Sequence, residues 1–248
     1  ATIAGTTIVC QNDAPPLITF TGQLGTPPYT FTYQINGGAN LTATTVSGNS
    51  TTVNVPTNIG NTYSYNLISV KDGSSTQCVN NVSNQIASVK INPLPNAIMS
   101  SSKTVVCQND AQPQIDFTGS NGVAPYTFTY TINGGNSQTV NSANGGDIGS
   151  IAVPTNVAAT YTYNLINVEY NNGKVCMNQQ NASVLIKINP LPTAKIIGGQ
   201  DVCRNGAAPI IKFVGKNGTG PYAITFKVKI ENNSIINVND RLNTSVLR

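Results

Sequence analysis

A long internal repeat constrains this chain more than any other feature of its sequence. Residues 7–38 and 104–135 are identical at 23 of 32 aligned positions, at an offset of 97 residues. Shorter segments recur with nearly the same spacing, namely VPTN at 55 and 153, YSYNLISV at 63 against YTYNLINV at 161, and INPLP at 91 and 188. Repetition at a fixed period is typical of arrays of one structural unit.

A third copy begins with VCRNG at 202, IIKFVG at 210 and GPYAITF at 220, and then departs from the pattern. We therefore predict three domains: repeat 1 at 1–94, repeat 2 at 95–191, and a partial or divergent repeat 3 at 192–248. We expect them to be a segment of a longer array.

The apolar pattern within each repeat predicts β-strands. Tyr29, Phe31, Tyr33 and Ile35 alternate with polar residues and lead into an Asn-Gly-Gly turn, and residues 126–132 repeat this arrangement. Some seven short strands per repeat, separated by turn signals every eight to twelve residues, indicate an immunoglobulin-like β-sandwich. Because two prolines stiffen each INPLP linker, the predicted fold is all-β, with tandem immunoglobulin-like sandwich domains forming an extended rod.

The five cysteines predict disulfides and an oxidising compartment. Cys10 and Cys78 lie 68 residues apart, and Cys107 and Cys176 lie 69 apart at the same places in their repeat. Pairing within each repeat, Cys10 with Cys78 and Cys107 with Cys176, is the natural reading. Cys203 would then pair with a cysteine outside this chain. A thiolate metal site is the alternative, although the chain has no His and no CxxC motif.

Composition argues against an enzyme. Without histidine, the Ser-His-Asp and Cys-His catalytic arrangements are excluded. The nine acidic residues are scattered singly, so neither a glycosidase pair nor a calcium site is indicated, and no cofactor is expected. Asp13 and Asp110 recur in CQND, where a metal ligand and a turn-forming side chain are both open readings, the turn being favoured.

Two other features that could indicate binding, the tyrosines and the basic residues, also have a simpler structural explanation. Exposed tyrosines could stack on sugar rings, but Tyr29, Tyr33, Tyr63 and Tyr65 fall on the face assigned to the core. Residues from Thr193 onward hold eight basic and three acidic side chains, which suits an anionic polymer or an ordinary solvated face. Nucleic acid is not an expected partner, and no run of about 18 apolar residues predicts a membrane-spanning segment.

Five segments resemble the tandem repeats of large Bacteroidota surface proteins and are similar to those of gliding-motility adhesins of the SprB type, namely TIVCQNDAPPLITFTG, PPYTFTYQINGG, VPTN, YSYNLISV and INPLP. The resemblance implies a secreted adhesin that is exported by the type IX system and anchored in the outer membrane through regions elsewhere. It also implies the gliding or secretion machinery as partners of the parent protein. It transfers no catalytic or ligand-binding residues.

The primary functional hypothesis is a non-catalytic repetitive stalk of a secreted cell-surface adhesin, which serves surface attachment or gliding motility. Its partners would be external surfaces or polysaccharide, contacted weakly and many times over. Two alternatives remain open. One is a carbohydrate-binding accessory array of a secreted hydrolase, and the other is a self-assembling surface filament subunit.

Overall fold

The computed structural model describes residues 1–143 and 145–229, together with the backbone of two strands at 235–242 and 245–247. Every regular element in the described residues is a β-strand. The chain is therefore all-β, as its apolar alternation predicts.

Repeat 1 contains nine strands: β1 (Thr2–Ala4), β2 (Thr7–Cys10), β3 (Leu17–Thr21), β4 (Thr30–Ile35), β5 (Leu41–Thr44), β6 (Ser50–Asn54), β7 (Asn61–Lys71), β8 (Val79–Asn81) and β9 (Ile86–Asn92). Repeat 2 contains β10 (Asn96–Ser101), β11 (Val105–Cys107), β12 (Gln114–Ser120), β13 (Tyr126–Ile132), β14 (Gln138–Asn141), β15 (Ile148–Ala152), β16 (Thr160–Asn171) and β17 (Val175–Asn189). Repeat 3 contributes β18 (Thr193–Gly198), β19 (Ile211–Lys216), β20 (Tyr222–Lys229), β21 (Ile235–Leu242) and β22 (Ser245–Leu247).

Two sheets make up repeat 1. One has the order β1-β3-β6, and the other has the order β2-β9-β7-β4-β5, with β8 added beside β7. All of these pairs are antiparallel except β2 with β9, which run parallel, with Cys10 opposite Asn92. This arrangement is an immunoglobulin-like sandwich whose first strand is divided between the two sheets.

The division of the first strand explains why repeat 1 has more strands than the seven expected. The chain leaves β1 at Gly5, whose φ of +123° is accessible mainly to glycine, and continues as β2 in the opposite sheet. A side chain at Gly5 would collide with the backbone of Leu17. The short edge strand β8 accounts for the other extra element.

Aromatic side chains of the two sheets form the core of repeat 1. Phe20 of β3 packs on Phe31 and Tyr33 of β4, at ring-centroid distances of 5.6 and 4.9 Å. Tyr33 also stacks on Tyr65 of β7 at 6.0 Å. The alternating residues Tyr29, Phe31 and Tyr33 are buried and Ile35 packs partly buried against them, which confirms the predicted core face.

Repeat 2 reproduces these features. Its sheets have the orders β10-β12-β15 and β11-β17-β16-β13-β14, the same as in repeat 1. Phe117 packs on Phe128 and Tyr130 at 5.7 and 5.2 Å. In repeat 3, β18 pairs with β19, β19 with β22, and β20 with β21.

The contacts divide the chain into two compact units. Residues 1–100, 116–151 and 163–183 form the first, and residues 101–115, 152–162 and 184–248 form the second. Neither unit coincides with one sequence repeat, so the domain boundaries at 94 and 191 stay a prediction, as does the extended rod. The first unit contains all of repeat 1 and the β16–β17 turn of repeat 2.

Candidate functional site: a disulfide-linked junction of two repeats

Cys10 lies at the end of β2 and begins a tight turn. Asn12 has a φ of 67°, and the amide of Asp13 donates a 3.1 Å hydrogen bond to the Cys10 carbonyl. The Asp13 carboxylate accepts a 2.9 Å bond from the Cys10 amide, and its carbonyl accepts one of 2.7 Å from the Thr57 hydroxyl. The favoured interpretation of Asp13 as a turn-forming residue is confirmed.

The disulfide partner of Cys10 is Cys176 of repeat 2, at a Cα–Cα distance of 5.6 Å. The predicted pairing of Cys10 with Cys78 and of Cys107 with Cys176 therefore differs from the structure. Cys78, Cys107 and Cys203 are free and exposed. The bridge joins two repeats rather than closing each of them.

Strand direction explains why Cys10 cannot reach Cys78. Cys10 lies opposite Asn92 at one end of the sandwich, beside the start of β7 at Asn61, which pairs with Ile91. Cys78 precedes β8, whose Val79 pairs with Lys71 at the far end of β7. An 11-residue strand spans about 33 Å. Two cysteines can be bridged only when their Cα atoms lie within about 7 Å.

An ion pair lies beside the bridge. Lys174, in the turn between β16 and β17, contacts the Asp13 carboxylate. The hydrogen bond from Lys174, followed by the one from the Cys10 amide, lowers the pKa of Asp13 below its usual value. Since the two side chains are 43% and 37% exposed, solvent screens this pair, and its contribution to stability is under about 1 kcal/mol.

Hydrogen bonds to the INPLP linker complete the junction. The buried Tyr170 side chain donates a 2.8 Å bond to the Pro93 carbonyl, and the Asn178 amide donates one of 2.9 Å to the Pro95 carbonyl. Asn92 donates a 3.1 Å bond to the Asn172 carbonyl. Tyr170 and Asn178 belong to strands β16 and β17 of repeat 2, so these bonds attach the β16–β17 hairpin to the end of repeat 1 and its linker.

A shallow groove of about 450 Å³ lies beside these contacts, lined by residues such as Asn61, Lys90, Asn92, Gly122 and Tyr170. The Asn92 side-chain oxygen is buried and has no partner among the described residues. The groove lining contains one charged side chain and no carboxylate. Its chemistry is that of amides and hydroxyls, which bind polar uncharged groups or water.

Sequence reasoning missed the junction because its contacts link different repeats. Lys174 was not identified from the sequence, because its counterpart in repeat 1 is Thr76.

The tyrosines, in contrast, lie where they were expected. Tyr29, Tyr33 and Tyr65 are buried and Tyr63 is half-buried, so none of these four presents an exposed ring face to a sugar.

No group of three or more His, Cys, Asp or Glu side chains that could hold a metal lies among the described residues. The same part of the chain contains no helix long and apolar enough to cross a bilayer. Of the basic residues from Thr193 onward, Arg248 lies outside the described residues.

No protein-family model matches the chain, and neither does any curated protein. Among solved structures, a marsupial T cell receptor is 9% identical with a TM-score of 0.47, covering 100% of this chain and 95% of the receptor chain. A Ca²⁺-stabilised adhesin that helps an Antarctic bacterium bind ice is 15% identical with a TM-score of 0.45, covering 99% of this chain and 64% of the adhesin.

A tetra-tandem repeat from the extending region of a large adhesion protein is 12% identical with a TM-score of 0.31, covering 98% of this chain and 65% of that one. The chain thus spans slightly less than two thirds of the length of each of these two adhesion-protein chains. At such identities a likeness concerns the fold alone, and the immunoglobulin-like assignment rests on the strand order described above.

Proposed function

We propose that this chain is a segment of the non-catalytic stalk of a large secreted cell-surface adhesin. The observation that carries the proposal is the Cys10–Cys176 disulfide, which links one repeat covalently to the next. A stalk must transmit force between a cell and a surface, and a bridge between repeats gives that force a covalent path. Sandwiches filled by their own aromatic side chains leave little room for a substrate cavity.

The disulfide also favours an oxidising location, as expected for a secreted protein at the cell surface. In our proposal the parent protein contacts external surfaces or polysaccharide. Outer-membrane anchoring, type IX export and movement by the gliding machinery are the further expectations from the repeats it resembles. An extended rod, stiffened by INPLP linkers and bridged junctions, would hold the binding region away from the cell.

The proposal can be tested by peptide mapping of exported protein whose free thiols are alkylated before digestion. We expect a Cys10–Cys176 peptide pair, an alkylated Cys107, and neither a Cys10–Cys78 nor a Cys107–Cys176 pair. A mapped Cys10–Cys78 pair would remove the covalent path between repeats and with it the main support for a stalk. Saturable binding of soluble oligosaccharides by the same protein would instead favour the carbohydrate-binding array.

A further inference from the structure

Two of the free cysteines occupy the same repeat positions as the two bridged ones. Cys78 follows the YSYNL strand as Cys176 follows YTYNL, and Cys203 stands in VCRNG where Cys10 stands in VCQND. The turn after Cys203 has the same geometry as the turn after Cys10. Asn205 has a φ of 65°, and the amide of Gly206 donates a 2.9 Å bond to the Cys203 carbonyl.

The charges around these two cysteines also match each other. At the existing bridge, Asp13 and Lys174 form an ion pair. The position of Asp13 is taken by Gly206 beside Cys203, and the position of Lys174 is taken by Thr76 beside Cys78. Both members of the ion pair are therefore replaced by uncharged residues. A contact between the surroundings of Cys203 and those of Cys78 would leave no unpaired charge at the positions of Asp13 and Lys174.

A second pair of opposite charges appears in compensation. Arg204 stands where repeat 1 has Gln11, and Asp72 stands where repeat 2 has Tyr170. Gln11 and Tyr170 bind adjacent linker residues in the existing junction, since the Leu94 amide donates to Gln11 and Tyr170 donates to the Pro93 carbonyl. In an equivalent junction, Arg204 and Asp72 would thus lie close together.

The surroundings of Cys78 have the exposed apolar surface that a docking site requires. Leu24 is fully exposed and Val79 is 62% exposed. Together with Asp72 and Cys78 they line a cavity of about 250 Å³. Isolated exposed apolar residues are ordinary on protein surfaces, but here they border a free thiol and a carboxylate that would be covered together.

Cys107 is a less suitable disulfide partner for Cys78 than Cys203 is. Its turn keeps the aspartate, Asp110, whose carboxylate accepts a 2.9 Å bond from the Cys107 amide, as Asp13 does at Cys10. A partner for Cys107 should therefore carry a lysine like Lys174, whereas the loop before Cys78 carries Thr76.

We propose that Cys78 of one copy of this chain forms a disulfide with Cys203 of a second copy and joins them head to tail. This inference rests on the proposed function, because it extends the repeat-to-repeat bridge to a contact between chains. The two thiols lose two protons and two electrons to a disulfide oxidant, here oxidised glutathione, which becomes two molecules of reduced glutathione. Because different surfaces of the two copies meet, the contact can continue into open chains.

The test is oxidation of the full 248-residue chain with oxidised glutathione, followed by non-reducing electrophoresis and peptide mapping. We expect a ladder of multiples of 26.0 kDa that reduction collapses, with Cys78–Cys203 as the linking peptide pair. Cys78→Ser and Cys203→Ser should each abolish the ladder, whereas an equal mixture of the two variants should stop at a dimer. Cys107→Ser is the matched control and should leave the ladder unchanged.

Charge reversal tests the matched surfaces apart from the thiols. Asp72→Lys should slow linkage about five-fold at low salt, and adding Arg204→Glu to that variant should restore the rate. Linkage of Cys78 to Cys107, symmetric Cys78–Cys78 or Cys203–Cys203 dimers, or a rate unaffected by Asp72→Lys would overturn the proposal. Absence of the Cys10–Cys176 pair from the same digest would instead refute the proposed function.

Discussion

The bridge between the repeats should hide a large, measurable length of chain from mechanical force. Cys10 and Cys176 are 166 residues apart. Because an extended chain spans at most 3.3–3.6 Å per residue, the disulfide holds back about 550–600 Å. When the full chain is stretched from its two ends in single-molecule force spectroscopy, this length should be absent from the oxidised protein. It should appear after reduction, or in the double variant Cys10→Ser with Cys176→Ser, as the sandwiches unfold.

A matched variant separates this bridge from the pairing within repeats. Changing Cys78 and Cys107 to serine leaves the Cys10–Cys176 bridge in place, so the hidden length should stay at about 550–600 Å. Bridges within the repeats would span 68 and 69 residues, and each would hide about 220–250 Å. The same variant would lose both of them. Full extension of the oxidised variant with Cys78→Ser and Cys107→Ser would therefore refute the presence of the Cys10–Cys176 bridge.

Three further predictions concern single side chains. Lys174→Ala should lower the free energy of unfolding by under about 1 kcal/mol. The lowered pKa of Asp13 stabilises the fold above about pH 4, and this stabilisation is lost as the pH falls through the folded-state pKa. Urea midpoints measured between pH 2 and 6 should therefore depend less on pH in this variant. Tyr170→Phe removes the hydrogen bond to the linker carbonyl and should cost about 1 kcal/mol in the same unfolding assay. Gly119→Ala would place a Cβ 2.6 Å from the Tyr126 ring and should cost about 1–3 kcal/mol, measured by thermal unfolding.

Local periodicity was sufficient to predict the strand-rich fold of repeats 1 and 2. The alternation of Tyr29, Phe31 and Tyr33 marks the buried face of β4 and of the residue just before it, because successive side chains of a strand point to opposite sides. The Asn-Gly-Gly turn is also as predicted, with Asn36 at a φ of 52° and Gly37 at 71°. The division of the first strand at Gly5 was not predictable in this way, because it depends on which sheet each half joins.

The pairing of the cysteines could not be obtained from spacing, since spacing along the sequence does not show at which end of a sandwich a residue lies. Equivalent positions in two repeats suggested closed pairs. The register, however, puts Cys10 beside Asn92 and Cys78 beyond Lys71, at opposite ends of β7. A sequence argument would have needed the strand directions first. Counting the length of β7 between the two cysteines would then have excluded their pairing.

The strand directions also explain why a bridge between repeats suits this fold. In repeat 1 the Cys10 turn and the end of β9 lie at the same end of the sandwich, because β2 and β9 run parallel. The linker to repeat 2 starts at that end, directly after Asn92. The Cys10 turn is thus near repeat 2 and far from Cys78, the second cysteine of its own repeat. Any array with this parallel pair can therefore link successive repeats through the same two positions, and the linker between them bears less load when the chain is pulled.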